Sequence, residues 1–292
     1  MNNLEKNKYW VWLSLIKGLG IRRKIKLIER YKSPEIIYNL SKKELLNNKE
    51  IGEEIANNIL DQHIRIKLDE EIKELKKNNI DVISIYDKEY PQSLKEIYDY
   101  PVSLYIKGNK SILNNSNIAI IGCRNATEYG IKSAKYFSYN LTKEGFNIVS
   151  GMARGIDSYA HLGSICGKID KKVESVEKSK DIGNTIAVVG NGLDIIYPKE
   201  NIELAKYILN TGGAIISEYS LGTKPNKMNF PARNRIISGI SSKIIVIEAK
   251  RKSGTLITVD FALEQGKEIF AVPRKYKRRK FNRYKWSYKA RC

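Results

Sequence analysis

Six short runs dominate the second half of the chain: IAIIG (118–122), FNIVSG (146–151), TIAVVG (185–190), AIISEY (214–219), KIIVIEA (243–249) and EIFAVP (268–273). Segments of helical pattern separate them. Runs so nearly free of polar residues read as strands buried on both faces, which requires a mostly parallel sheet with helices on either side. The fold class predicted is α/β, a Rossmann-like doubly wound sheet. In such a sheet, ligands bind beyond the carboxyl ends of the strands, where the loops that follow them converge.

The first 78 residues read differently, as helices throughout, with Ser33 before Pro34 and Ser41 three residues before Glu44 as start signals. They are predicted to form a small helical domain. GLG (18–20) and IGEEIANNI (51–59) resemble the turns of helix-hairpin-helix or SAM-like modules, for which phosphate contact and plain packing are both open. IDVISIYD and VSLYIKGN then read as strands leading into the main domain, 79–273. The charged stretch 169–184 reads as a solvated insertion.

At 292 residues and 42% hydrophobic content the chain has ample material for a core. Its formal charge of +20 points to an anionic partner, most simply nucleic acid. Ten of its Lys and Arg residues fall in 274–292, which holds no acid. Cys123, Cys166 and Cys292 form no CxxC pair, which argues against a disulfide framework or a zinc site and for a reducing compartment. No apolar run reaches the ~20 residues of a membrane span, and a cytoplasmic location is expected. Neither a metal nor a cofactor is expected.

A dinucleotide site would need a second glycine where this chain has Gly122-Cys123-Arg124. Arg124, in the loop after a strand, suits a bidentate phosphate contact, although pairing with a nearby carboxylate is equally open. The other strand-end loops carry Ser150, Gly151, Arg154 and Gly155, then Lys224, Lys227, Phe230, Arg233, Asn234 and Arg235, then Ser253, Gly254 and Thr255. These are glycine turns and cations rather than an acid–base set. The Ser-Gly-Thr turn at a helix start is a second phosphate-type cradle.

The blocks SGMARGIDSYAH, VVGNGLDIIYPKEN, FPARNRIISGIS and SGTLITVDFALEQGKEIFAVP closely resemble the signature blocks of the DNA-processing protein A family (DprA, also called Smf), from about Tyr90 to Pro273. The helical N-terminus fits that family's SAM-like module more loosely. The resemblance implies a non-enzymatic protein that binds and protects single-stranded DNA, loads the recombinase RecA onto it in natural transformation, and forms a homodimer. It places DNA on Gly122 and Arg124, with Cys123 replacing the family's usual Ser, and on Lys224, Lys227, Arg233 and Arg235. It leaves Phe230 as a stacking surface or a core plug, and Asn234 with Arg235 as contacts or braces. The rival reading is a nucleotide-processing hydrolase related to the phosphoribohydrolases. Their catalytic Glu would fall at Thr258, which cannot act as a carboxylate base.

After Pro273 the resemblance stops at RKYKRRKFNRYKWSYKARC. Back-translated and read from the next base, this tail gives GNINEESSIGTNGLIKQGA, which matches the family's continuation. The segment 274–292 is therefore expected to be a frameshift product, natural or from sequencing, against the alternative of a genuine basic DNA-binding tail. The homodimer and RecA loading are then the functions in doubt. Resequencing the 3′ end of the gene is expected to reveal the shifted frame; an unbroken native frame encoding RKYKRRK would exclude it.

Overall fold

The computed structural model describes residues 3–174, 182–251 and 253–273. Helices α1 (Asn3–Lys6), α2 (Lys8–Leu15), α3 (Ile21–Tyr31), α4 (Pro34–Asn39), α5 (Lys42–Leu46), α6 (Glu53–Leu60) and α7 (Gln62–Lys77) precede the first strand. Both serine signals act as read. Ser33 Oγ accepts from Glu35 N, and Ser41 with Glu44 closes a reciprocal capping box. Asp61 separates α6 from α7: it ends α6 in extended backbone while its carboxylate caps α7 at His63 N.

Eight strands form one sheet: β1 (Ile80–Ser84), β2 (Ser103–Gly108), β3 (Asn117–Gly122), β4 (Asn147–Ser150), β5 (Thr185–Val188), β6 (Ala214–Ser217), β7 (Lys243–Glu248) and β8 (Glu268–Ala271). Their order is β1-β2-β6-β5-β4-β3-β7-β8, parallel from β6 to β8, with β1 and β2 added antiparallel at one edge. The Rossmann-like α/β reading holds. From β3 to β6 the chain steps outward in one direction, then crosses back to lay β7 against the other side of β3. The β3/β7 junction is thus the point where strand order reverses.

Six helices accompany the strands: α8 (Gln92–Lys95), α9 (Glu128–Lys143), α10 (Ile156–Glu174), α11 (Ile202–Asn210), α12 (Asn229–Gly239) and α13 (Gly254–Glu264). Alternation along the strands supplies two core faces. Ile120, Ile148 and Ile247 pack with Ala134, Ile156 and Ala160 of α9 and α10. Ala119, Ile121, Val149, Ile244 and Val246 point the other way, into a larger cluster that takes in α12 and α13. That cluster is continuous with Trp12, Leu27, Leu45, Ile59 and Leu75 of the N-terminal helices. The stretch read as a solvated insertion is helical as far as Glu174, because α10 extends over its first residues; 175–181 lie outside the described residues, as do 274–292.

Glu71 of α7 is almost fully buried, and its carboxylate accepts from Leu221 N at 2.7 Å, at the start of the loop between β6 and α12. Burial pushes its pKa up to about 7, opposed by the Leu221 hydrogen bond. The unfolded chain releases this proton near 4.3, so between that pH and about 7 the folded protein holds the extra proton, and stability falls as pH rises through the window. Glu71→Gln should flatten that decline in urea unfolding measured from pH 5 to 8. Parallel stability curves for the two proteins would show that Glu71 does not titrate in this way.

Candidate nucleic-acid interface

A cleft of about 510 Å³ opens at the β3/β7 junction, where the fold class places ligands. Its walls come from the loop after β3, the loop after β4, α12 and the start of α13. Cys123 N donates to Glu248 O at 2.8 Å, tying the loop after β3 to the end of β7. The Glu248 carboxylate accepts from Thr127 N at 2.9 Å and from Thr127 Oγ1 at 2.5 Å, at the cap of α9. The Cys123 thiol donates to Asn125 O at 3.2 Å and is buried, with its pKa raised by burial and by Glu248.

Arg124 emerges from this loop exposed. It has no hydrogen bond or ion pair among the described residues, and its guanidinium lies 5.7 Å from the Phe230 ring centre. Phe230, half-buried at the start of α12, stacks on Tyr197 with ring centres 5.6 Å apart and planes 28° apart. The ring therefore borders the cleft instead of filling the core. Lys227 precedes it on the loop into α12 and is exposed.

The floor is a buried charge. Arg233, 5% exposed, donates from Nη1 to Gly151 O at 2.9 Å and also to Val188 O, so it crosses the carboxyl ends of β4 and β5. Asp157 stands beside it: a Cβ on Gly151 would come within 2.6 Å of Asp157 Oδ2 and 2.7 Å of Arg233 Nη2. Burial raises the Asp157 pKa to about 6, and Arg233 opposes the rise. Burial also lowers the Arg233 pKa to about 10, which leaves it charged at neutral pH. At the start of α13, Ser253, Gly254 and Thr255 line the opposite wall, and the buried hydroxyl of Ser253, the residue that precedes the helix, has no partner among the described residues. Asn234 Nδ2 donates to Gly254 O at 3.2 Å and so joins α12 to that wall.

The structure brings Gly122, Arg124, Lys227, Phe230, Arg233, Asn234, Ser253, Gly254 and Thr255 onto one cleft. The remaining expected residues stand elsewhere. Arg235 is 3% exposed on the opposite face of α12, paired with both Glu218 oxygens and with Asp99. Two residue steps of about 100° each along a helix put Arg233 and Arg235 on opposite faces. Arg154 faces outward and pairs with Glu200. Ser150 is buried and donates to Ile120 O at 2.7 Å, bracing β4 against β3. Gly151 lies beneath the Asp157–Arg233 pair, and Lys224 is exposed on the loop leading to Lys227.

Gly122 and Gly155 are glycines for packing reasons. A Cβ on Gly122 would meet Ile156 Cγ1 at 2.5 Å, and Gly155 adopts φ +78° against the backbone carbonyls of Cys123 and Arg124. Sequence reasoning missed Lys250 and Tyr197, both of which line the cleft. The run EAKRK after β7 was a signal for the first; for Tyr197, within DIIYPKEN, only its partner Phe230 gives the reason. Thr258, where a hydrolase would hold its Glu, lines the cleft as a buried Thr. Buried His161 accepts or donates through Nδ1 to Thr185 Oγ1 at 2.6 Å, and burial lowers its pKa to about 3. Among the described residues no three His, Cys, Asp or Glu side chains gather as a metal site would need, and no helix is long and apolar enough to cross a membrane.

Four cations, Arg124, Lys227, Arg233 and Lys250, thus face one carboxylate, Asp157, among the described lining residues. Fold and cleft together define a doubly wound α/β protein with a basic, aromatic-edged cleft at its switch point. The chain belongs to the DNA recombination-mediator protein A family, whose model matches residues 81–287 and so runs past Pro273, where the resemblance was expected to stop. It is 41% identical over 208 residues to the DNA processing protein DprA of Bacillus subtilis, covering 71% of this chain and 65% of that one. It is 44% identical over 190 residues to the DprA of Streptococcus pneumoniae, covering 65% and 62% respectively. The chain therefore spans 62–65% of the length of these relatives. The X-ray structure of DprA from S. pneumoniae superposes with a TM-score of 0.65 at 33% identity, over 94% of this chain and 88% of that one. A DprA structure from Helicobacter pylori, described for its single-stranded DNA binding mode, superposes with a TM-score of 0.56 at 29% identity, over 66% and 81%.

Gly122→Ala should lower stability by about 1–3 kcal/mol in urea unfolding, because a methyl there overpacks the β3–α10 contact. A variant as stable as the parent would show that Ile156 can give way and that the glycine answers to something else.

Proposed function

We propose that this protein binds single-stranded DNA in the cleft at the β3/β7 junction. The observation that carries the reading is the excess of cations on the cleft beside the Phe230–Tyr197 stack. Phosphates answer the cations, Arg124 in particular since no carboxylate among the described residues occupies it, and bases answer the aromatic edge. The uncapped Ser253 hydroxyl and the first N–H groups of α13 offer a further phosphate contact. Loops at the edge of a parallel sheet suit one backbone with splayed bases better than a duplex. The H. pylori relative, described for its single-stranded DNA binding, supports the same choice.

Binding rather than hydrolysis is favoured by Thr258 and by the commitment of Asp157 to Arg233. DNA processing in uptake, transformation and recombination is the role proposed, with protection of the strand, its hand-over to RecA and homodimerisation following from family membership. The DNA-contacting unit is proposed to be 79–273.

Fluorescence anisotropy of a labelled oligothymidine should show Arg124→Ala weakening binding about 10-fold, the effect of losing one charge-assisted hydrogen bond of 1.5–3 kcal/mol at its lower end. The slope of log affinity against log salt should fall in magnitude by about 0.7. The ten charges beyond Pro273 are common to both proteins and cancel in the comparison. Equal affinity without Arg124 would move the DNA out of this cleft.

A further inference from the structure

A second cavity of about 340 Å³ lies on the far side of α12 from the cleft. Its lining includes Lys24 of α3, Asp99, Glu218, Thr223 and Arg235. Both of its carboxylates are held by Arg235. Lys24 makes no hydrogen bond or ion pair among the described residues; burial lowers its pKa to about 8 and the charge of Glu218 opposes the fall, so it stays mostly protonated at neutral pH.

At the rim, Arg22 places its guanidinium 4.8 Å from the ring centre of Tyr98, which precedes Asp99 in the chain. Tyr98 is 78% exposed, a large aromatic face left open to water. Arg22 and Arg23 are exposed, and neither has an acidic partner among the described residues. An open ring flanked by uncompensated guanidinium groups is the combination that holds a stacked base with its phosphates.

The loop between β6 and α12 joins this place to the cleft. Thr223 lines the second cavity and Lys227 lines the cleft, with Lys224 exposed between them. The loop is held at its base, where Leu221 N donates to Glu71 and Gly222 N donates to Asp194 at 2.9 Å. Two lysines thus mark a path around the amino end of α12, from one cavity to the other.

We infer that a single strand longer than the cleft continues over Lys227 and Lys224 to a second contact, where Tyr98 stacks a base and Arg22, Arg23 and Lys24 take phosphates. This rests on the cleft reading above, and ties the helical N-terminal region to the same DNA. The helical layer then sets the length of strand engaged.

The test is anisotropy with the full chain and two labelled oligothymidines, one of about 6 nucleotides and one of about 25, spanning the usual site sizes of single-strand binders. The double variant Arg22→Gln, Tyr98→Ala should bind the long strand about 5-fold more weakly and the short one unchanged, since the loss of one stacked base is worth at least that factor. Arg30→Gln, an equal charge change on the exposed side of α3, should leave both affinities within twofold. Unchanged affinity for the long strand, equal weakening of both strands, or an equal effect of Arg30→Gln would overturn the second contact. Arg124→Ala, measured alongside, reports on the cleft alone: it should weaken both strands, and its failure to do so would sink the cleft reading independently.

Discussion

The buried guanidinium of Arg233 is the interaction on which the cleft depends. It leaves α12, crosses the carboxyl ends of β4 and β5 to the carbonyls of Gly151 and Val188, and stands beside Asp157 at the start of α10. One side chain thus fixes a helix, two strand ends and a second helix in register. A buried ion set of this kind contributes less to stability than its Coulomb attraction suggests, but removing one member leaves an uncompensated charge and costs about 3–5 kcal/mol. The positive floor of the cleft follows from this fixture. Phe230 and Asn234, on the same face of α12, are positioned by the same anchor.

Arg235 does the complementary work on the other face. Its pairing with Glu218 and Asp99 fastens α12 to the end of β6 and to the segment before β2. The helix is therefore clamped on both sides by arginines two residues apart, and its amino end, with Lys227 and Phe230, projects over the sheet edge. The N-terminal helices add a third restraint through Glu71 and Leu221. Because the apolar cluster runs without interruption from Trp12 and Leu75 into the sheet, the helical layer and the cleft loop are mechanically connected.

Much of the fold was legible in local pattern. The six Val/Ile runs gave six parallel strands, Ser33 and Ser41 capped the helices they precede, and IDVISIYD with VSLYIKGN became β1 and β2. The division of 51–78 at Asp61 rests on cap geometry, with extended backbone ending α6 and the Asp61 carboxylate capping α7. The site was legible in part. Gly122, Arg124 and FPARN pointed to the cleft, since strand-end loops in such a sheet converge on one place. Arg154, Arg235 and Lys224 read as cations of the same kind from sequence, yet one meets Glu200, one turns inward to Glu218, and one stays on the approach.

The sequence by itself determined the layer architecture and the place where the strand-end loops gather, because strand and helix periodicities are local and the handedness of the crossovers is general. The tertiary structure alone decided which cations are free to meet an anion. Whether an arginine faces water or a carboxylate depends on partners such as Glu200 and Glu218, 46 and 17 residues away in the chain. Only the packed chain brings those partners within reach, and for the same reason Tyr197 became part of the site only when the fold stacked it on Phe230.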